Sequence, residues 1–141
     1  MQREQVRHTA GVIVDGMVLR SSRTYHFDSN GAYFISGRMS GMVDWNRKAF
    51  NECEKAIRKM ATKATIFNPA AKAPVDDEEP KPYTHYMLET LSELTKHDEG
   101  DLNTPKYDAV VLLPHWEDSL GAVTEAITAF ECGIDMVLWT E

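Results

Sequence analysis

The chain has 141 residues, 43% of them hydrophobic, which is the size of one domain with a single core. Its 22 acidic and 15 basic side chains give a formal charge of −7, which argues against a surface that neutralises the phosphates of a nucleic-acid polymer. This charge does not exclude one small anion held by backbone amides at the start of a helix.

Residues 1–30 are predicted to form an N-terminal extension, and residues 31–141 the main domain. Asp15 and Gly16 lie between two apolar runs, a strong short-range signal for a tight β-hairpin. No catalytic pattern occurs in this extension. We therefore expect it to serve as an oligomer contact or as the edge of a sheet.

From Ala32 onwards, short apolar runs alternate with helical patterns. Residues 32–36 (AYFIS) are typical of a buried strand, and residues 45–61 have apolar positions three and four apart, as in an amphipathic helix. A second strand is predicted at 64–69, where Pro69 ends it. The prolines and four consecutive acids of residues 70–82 predict a loop.

The second half of the main domain repeats this alternation. A helix is predicted from residue 83 to 94, a polar connector at 96–107, and a strand at 108–113. A helix over 119–132 and a strand over 134–139 follow. Strands that alternate with helices indicate a parallel sheet with right-handed crossovers.

Ligands of such sheets bind beyond the carboxyl ends of the strands. The segments expected there are residues 36–41, 68–70 and 114–121. Glu125 follows the last of these, one turn inside a helix and among apolar neighbours. It could stabilise the helix N-terminus, which is worth about 0.3–1 kcal/mol, or it could be a nucleophile that faces a ligand. The residue pattern alone leaves both interpretations open.

The sequence gives no reason to expect a metal, an organic cofactor or a membrane span. Its two cysteines, Cys53 and Cys132, lack metal-ligand spacing and fall on predicted helices, so we expect both to be buried apolar residues. No signal peptide and no apolar run of bilayer length is found. We therefore expect a soluble, cytoplasmic protein that binds no membrane.

Two segments together resemble a known family. They are YFISGRMSGMVDWNRKAFNECEKAIRKMATKATIFNPA (33–70) and DAVVLLPHWEDSLGAVTEAITAFECGI (108–134). Their motifs resemble, in order and spacing, a phage and bacterial family of unassigned function in the nucleoside 2-deoxyribosyltransferase-like superfamily. The resemblance covers roughly residues 32–139. It implies a flavodoxin-like three-layer α/β/α domain with a mainly parallel sheet, and chemistry at N-glycosidic bonds.

The resemblance also implies catalytic roles. The helical glutamate of the superfamily attacks C1′ of the sugar and forms a glycosyl-enzyme, and Glu125 is in its place. A tyrosine on the first strand commonly holds that glutamate, and Tyr33 is in a comparable position. The acid that assists proton transfer to the leaving base is replaced here by Thr90. Glu89 beside it, or Asp98 or Asp101 of the connector, could substitute, or the activity has been lost.

The same resemblance points to a nucleotide substrate. Superfamily members that act on nucleoside 5′-monophosphates tend to have a serine six residues before the nucleophile, which here is Ser119. A hydroxyl and free amides at a helix start suit a phosphate, and Arg38 could add a cation. The further substrate-binding candidates, some of which could equally be structural, are Gly121, Gly37, Met39, Trp116 and Asn68.

These residues support two hypotheses. The first is a hydrolase or transferase that acts at the N-glycosidic bond of a (deoxy)nucleoside 5′-monophosphate. The second is a catalytically inactive protein that binds and sequesters a nucleotide or signalling ligand, which the replacement of the acid by Thr90 favours. Superfamily members usually assemble from several copies, so the resemblance implies a homo-oligomer. The base and the sugar stay open.

Overall fold

A computed structural model describes residues 17–75 and 78–140. The hairpin predicted around Asp15 and Gly16 lies outside these residues. The described strands are β1 (Leu19–Ser21), β2 (Ala32–Ser36), β3 (Thr65–Phe67), β4 (His97–Asp98), β5 (Asp101–Pro105), β6 (Ala109–Leu112) and β7 (Asp135–Leu138). The helices are α1 (Arg47–Met60), α2 (Tyr83–Leu94) and α3 (Leu120–Glu131), with short 3₁₀ turns at Val43–Asn46, Pro69–Lys72 and Trp116–Asp118.

Five strands form one parallel sheet in the order β1-β7-β6-β2-β3. All four residues of β6 are buried, as expected of a central strand covered on both faces. Helix α1 covers one face, and α2 and α3 cover the other. The predicted α/β class and the flavodoxin-like three-layer arrangement are confirmed.

Each helix packs through one apolar stripe. On α1 the stripe is Phe50, Cys53 and Ile57, at the spacing of three and four that the sequence predicts. On α3 the small residues Ala122, Ala126 and Ala129 bring the helix close to the sheet. The two faces of the sheet therefore have separate cores.

Three features differ from or add to the sequence prediction. The connector at 96–107 contains a small antiparallel hairpin, β4–β5, whose exposed polar side chains hide the strand pattern. Cys53 is buried as expected, but the expectation for Cys132 is wrong, because it follows α3 at an exposed position. In addition, β1 pairs with β7 in parallel, so residues before position 31 contribute an edge strand.

The strand order reverses between β2 and β6. From β2 the chain crosses to β3 on one side and later returns to β6 on the other, which is the arrangement that creates a crevice at the carboxyl ends. Gly37 follows β2 at this point. A Cβ atom there would lie 2.9 Å from the Cβ of Leu113, so glycine lets the loops after β2 and β6 meet.

Candidate active site

A cavity of about 750 Å³, including the part open to solvent, lies at this strand reversal. The loop after β2, helix α2 and the first turns of α3 form its walls. Its lining is mainly apolar with a few polar groups, which is typical of a small-molecule site. Asp98 and Asp101 do not line it, because the β4–β5 hairpin leads into the amino end of β6, at the opposite edge of the sheet.

Glu125 lies on the cavity wall and is 6% exposed. Gly121 and Ala122, four and three residues earlier on α3, line the same wall. The hydroxyl of Ser36, a fully buried residue at the end of β2, donates a hydrogen bond of 2.6 Å to Glu125 Oε1. The last residue of a central strand therefore fixes one oxygen of this carboxylate.

Burial raises the pKa of Glu125 from 4.5 to about 7. The hydrogen bond from Ser36 and a weaker polar interaction with the Thr90 hydroxyl act in the opposite direction. Among the described residues, no cation forms an ion pair with Glu125. The carboxyl group is thus poised between its neutral and ionised forms near neutral pH, a property common among catalytic acids and bases.

Thr90 lines the cavity beside Glu125. Its hydroxyl oxygen is buried, and within the described part of the chain it has no partner at the distance and angles of a hydrogen bond. Tyr83 and Met87 share its face of α2 and also line the cavity. The α2 wall therefore combines apolar surface with the buried hydroxyl of Thr90 and the carboxylate of Glu89.

The N-terminus of α3 opens into the same cavity. Ser119 caps the helix, because its Oγ accepts a hydrogen bond of 3.2 Å from the amide of Ala122. A Cβ atom at Gly121 would lie 3.3 Å from Met87 Sδ, so the absence of a side chain keeps this corner open. The first-turn amides of a helix lack intrahelical partners and carry a partial positive charge, which suits an anion.

Lys72 supplies a positive charge to the cavity wall. Its Nζ lies 3.1 Å from Glu89 Oε1, and His85 Nε2 lies 3.8 Å from the other oxygen of Glu89. All three side chains are partly exposed, so this ion-pair group lies at the mouth of the cavity and is screened by solvent.

The structure brings six of the predicted site residues together around the cavity: Glu125, Glu89, Ser119, Gly121, Gly37 and Met39. Four others do not line it: Tyr33, Arg38, Trp116 and Asn68.

Tyr33 is not in a position to hold Glu125, and this expectation is corrected. Successive residues of a strand face opposite sides of a sheet. Tyr33 and Ser36 are three apart, so Tyr33 packs in the α1 core while Ser36 faces α3. The Tyr33 hydroxyl instead accepts a hydrogen bond of 2.6 Å from the amide of Asp28. Ser36 makes the contact that was predicted for Tyr33.

The other three residues have structural contacts instead. Arg38 Nε donates to the carbonyl oxygen of Ser40, in its own loop, at 3.2 Å. Trp116 is 4% exposed and belongs to the core under α3. Asn68 caps the turn after β3 by accepting from the amide of Ala70 at 3.0 Å.

Sequence reasoning missed Ser36, Lys72, Trp45, Tyr83 and Tyr86 as residues of this site. The alternation of side chains along β2 could have identified Ser36, because Phe34 and Ser36 are two residues apart and must share a face of the sheet. No sequence signal distinguished Lys72 or Trp45 from other residues of their loops. Tyr83 and Met87 are four apart on a predicted helix, a spacing that equally predicts ordinary core packing.

The described residues contain no cluster of three or more His, Cys, Asp or Glu side chains that could hold a metal ion. Among residues 17–75 and 78–140, no helix has both the length and the apolar character of a transmembrane span.

Comparison with protein families gives one match. The model of a family described as a domain of unknown function, DUF4406, matches residues 31–138. The chain belongs to this family. The DUF4406 match runs from just before β2 to the end of β7 and includes every residue that lines the cavity, whereas β1 precedes it. Neither the curated proteins nor the solved structures give a significant match to the chain.

Proposed function

We propose that this DUF4406 protein cleaves or transfers at the N-glycosidic bond of a (deoxy)nucleoside 5′-monophosphate, with Glu125 as the nucleophile. One observation carries the proposal: a buried carboxylate, held through one oxygen by Ser36, lines a cavity at the strand reversal. The sequence resemblance to the nucleoside 2-deoxyribosyltransferase-like superfamily supplies the reaction class.

In the proposed reaction, Glu125 Oε2 forms a bond to C1′ of the sugar. The C1′–N bond breaks, its electron pair stays on the base nitrogen, and the base takes up a proton. Water then attacks C1′ and frees the carboxylate, which gives a sugar phosphate and a base. If a second base attacks instead, the enzyme is a transferase.

Glu125 must be ionised to act as a nucleophile. Its raised pKa means that the ionised form is costly in the free protein, and that cost is relieved when positive charge develops on the sugar in the transition state. The Ser36 hydrogen bond keeps Oε1 away from the reaction and leaves Oε2 as the attacking atom.

Glu89 is the proposed proton donor to the leaving base. It lines the cavity one residue before Thr90, on the α2 wall, and its contact with His85 connects it to solvent. General acid catalysis of this kind contributes about 10²–10⁴-fold, so a nearby donor is worth a large part of the rate.

The phosphate would lie at the start of α3, close to Ser119 and Gly121. The first-turn amides would bind its oxygens there. Lys72 lines the cavity and would supply the positive charge for the phosphate, a role that was predicted for Arg38. Trp45, Tyr83 and Tyr86 provide aromatic surface for a base.

A panel of nucleoside and deoxynucleoside 5′-monophosphates tests this function, with free base detected by chromatography. We expect at least one nucleotide to release its base, and the Glu125→Gln variant to lose at least about 10³-fold of that rate. Glu131→Gln is the matched control, because it changes an exposed glutamate of the same helix. Normal turnover by Glu125→Gln would remove the nucleophile assignment.

The second candidate function is a protein that binds a nucleotide and leaves it intact. Thr90, in the place of the superfamily's acid, supports it, since a hydroxyl is a poor proton donor to a leaving base. A nucleotide that raises the melting temperature and is recovered unchanged after hours of incubation would favour this candidate over the enzyme.

A further inference from the structure

Arg47, the first residue of α1, contacts three separate segments of the chain. Its Nη1 donates to the carbonyl oxygen of Ala70 at 2.7 Å, and its Nη2 donates to that of Pro74 at 2.9 Å. Its Nε donates to Asp44 Oδ2 at 3.2 Å. The side chain is only 20% exposed. A guanidinium holds its donors in one rigid plane, whereas the single ammonium of a lysine cannot reproduce this set of contacts.

The segments that Arg47 joins form one wall of the cavity, although Arg47 itself does not line it. Asp44 belongs to the loop after β2, and Ala70 and Pro74 belong to the stretch after β3. The lining residues contributed by these segments are Trp45, Pro69, Lys72, Ala73 and Pro74. One side chain outside the cavity therefore connects the two loops that carry this wall.

The loop after β2 depends on such contacts because its backbone is strained. Asp44, Trp45 and Asn46 have φ values of 48°, 58° and 60°, in the left-handed region that residues with a side chain rarely adopt in succession. Such a conformation persists only where the surrounding structure holds it. Asn46 Nδ2 holds the loop by donating to the carbonyl oxygen of Arg38 at 3.0 Å, and Arg47 holds it through Asp44.

We propose that Arg47 is a positioning residue, which fixes Trp45 and Lys72 on the cavity wall and thereby sets the affinity of the site for a nucleotide. The inference rests on the proposed function, which assigns Trp45 to the base and Lys72 to the phosphate. The hydrogen bond between Ser36 and Glu125 joins β2 to α3 and involves none of the segments that Arg47 connects. Loss of Arg47 should therefore weaken nucleotide binding more than it slows the chemical step.

Fluorine NMR of the protein labelled with fluorotryptophan tests the positioning without any ligand. The chain has three tryptophans, and Trp45→Phe identifies the resonance of Trp45 among them. Arg47→Met removes the guanidinium and keeps an unbranched side chain. We expect this variant to shift or broaden the Trp45 resonance and to leave those of Trp116 and Trp139 unchanged.

Arg58→Met is the matched control at the other end of α1. Arg58 Nε also donates to a carboxylate, that of Glu54 at 2.9 Å, and its Nη1 donates to a backbone carbonyl, that of Ala64 at 3.1 Å. None of these three residues lines the cavity. We expect Arg58→Met to leave the Trp45 resonance and the affinity for nucleotides unchanged.

Kinetics with the nucleotide that the parent protein processes fastest give the second readout. We expect Arg47→Met to raise its KM by about 10-fold and to change kcat by less than about threefold. Arg47→Lys should behave like Arg47→Met, because a retained charge does not restore the three contacts. If no nucleotide releases its base, the Kd of the same nucleotides, measured by calorimetry, takes the place of KM.

An unchanged Trp45 resonance in Arg47→Met would overturn the inference, as would an equal disturbance of that resonance by Arg58→Met. A normal KM in Arg47→Lys would also overturn it, because Arg47 would then act through its charge alone. A loss confined to kcat would do the same. Should Arg47→Met not fold, Arg47→Lys and Asp44→Asn, which removes only the carboxylate paired with Nε, carry the same test.

Failure of the proposed function looks different from failure of this inference. A displaced Trp45 and a raised Kd, without release of base from any nucleotide, would refute the enzyme and keep the role of Arg47. Base release with an unchanged KM in Arg47→Met would do the reverse. A parent protein that binds no nucleotide would overturn both.

Discussion

The burial of Glu125 predicts how the free energy of unfolding depends on pH. Its pKa is about 7 in the folded protein against an ordinary value of 4.5. Between these two pH values the folded state therefore binds more protons than the unfolded state, and stability decreases as the pH rises. The decrease is complete above pH 7 and amounts to about 3 kcal/mol, because each unit of pKa difference corresponds to about 1.4 kcal/mol.

Glu125→Gln removes this cost, because an amide of similar shape does not ionise and its oxygen still accepts from Ser36. We expect the variant to exceed the parent by up to about 3 kcal/mol at pH 8, or about 10 °C in melting temperature for a domain of this size. The gain should shrink as the pH falls and vanish near pH 4, where the parent side chain is itself neutral.

Urea unfolding at pH 4, 5, 6, 7 and 8 measures this difference, with Glu131→Gln as the exposed control on the same helix. A gain that does not depend on pH, or a variant that is less stable than the parent at pH 8, would refute the reasoning. Either result would show that the ionised carboxylate is compensated in the folded protein. A gain in stability with loss of base release would identify Glu125 as a residue kept for function at the expense of stability.

Two more predictions concern hydrogen bonds to carboxylates. Ser36→Ala removes the hydrogen-bond donor to Glu125 and should raise the Glu125 pKa further. In a plot of the rate of base release against pH, the rising limb should therefore shift to higher pH. An unchanged pH profile would count against this prediction. Burial raises the pKa of Glu93, but hydrogen bonds, led by those from Lys106 and Tyr107, outweigh it and lower this pKa to about 2. This stabilisation is present above about pH 4.5 and is lost as the pH falls through 2, so Glu93→Gln should cost about 1–2 kcal/mol in urea unfolding at pH 7 and little at pH 2. Equal losses at both pH values would contradict this.

The sequence predicts the architecture well because its signals are local. The 32–36 run, the spacing of Phe50, Cys53 and Ile57, and the alternation of strands with helices each fix one element, and the parallel sheet follows from their order. The β4–β5 hairpin was not predicted, because its strands are polar and exposed and lack an apolar alternation.

The site was predicted only in part. Glu125 and Ser119 could be identified through the family resemblance, whose motif assigns them by their order and spacing in the chain. Face alternation along β2 assigns Ser36 to the same face as Phe34, but its contact with Glu125 and the position of Lys72 depend on how separate elements meet in three dimensions. The contact with Glu125 that was predicted for Tyr33 is made by Ser36, three residues further along β2. Residues an odd number apart on a strand face opposite sides of the sheet, so Tyr33 lies on the wrong face for this contact.

The two halves of the cavity have different origins in the chain. Ser36 and Glu125 are 89 residues apart and join the central sheet to α3, so they depend on the packed core. Tyr83, Met87 and Thr90 all lie on one face of a single outer helix. Substitutions along that helix face can therefore change one wall of the cavity while the hydrogen-bonded pair of Ser36 and Glu125 stays in place, and a laboratory search for ligands of the cavity could be confined to one short stretch of codons.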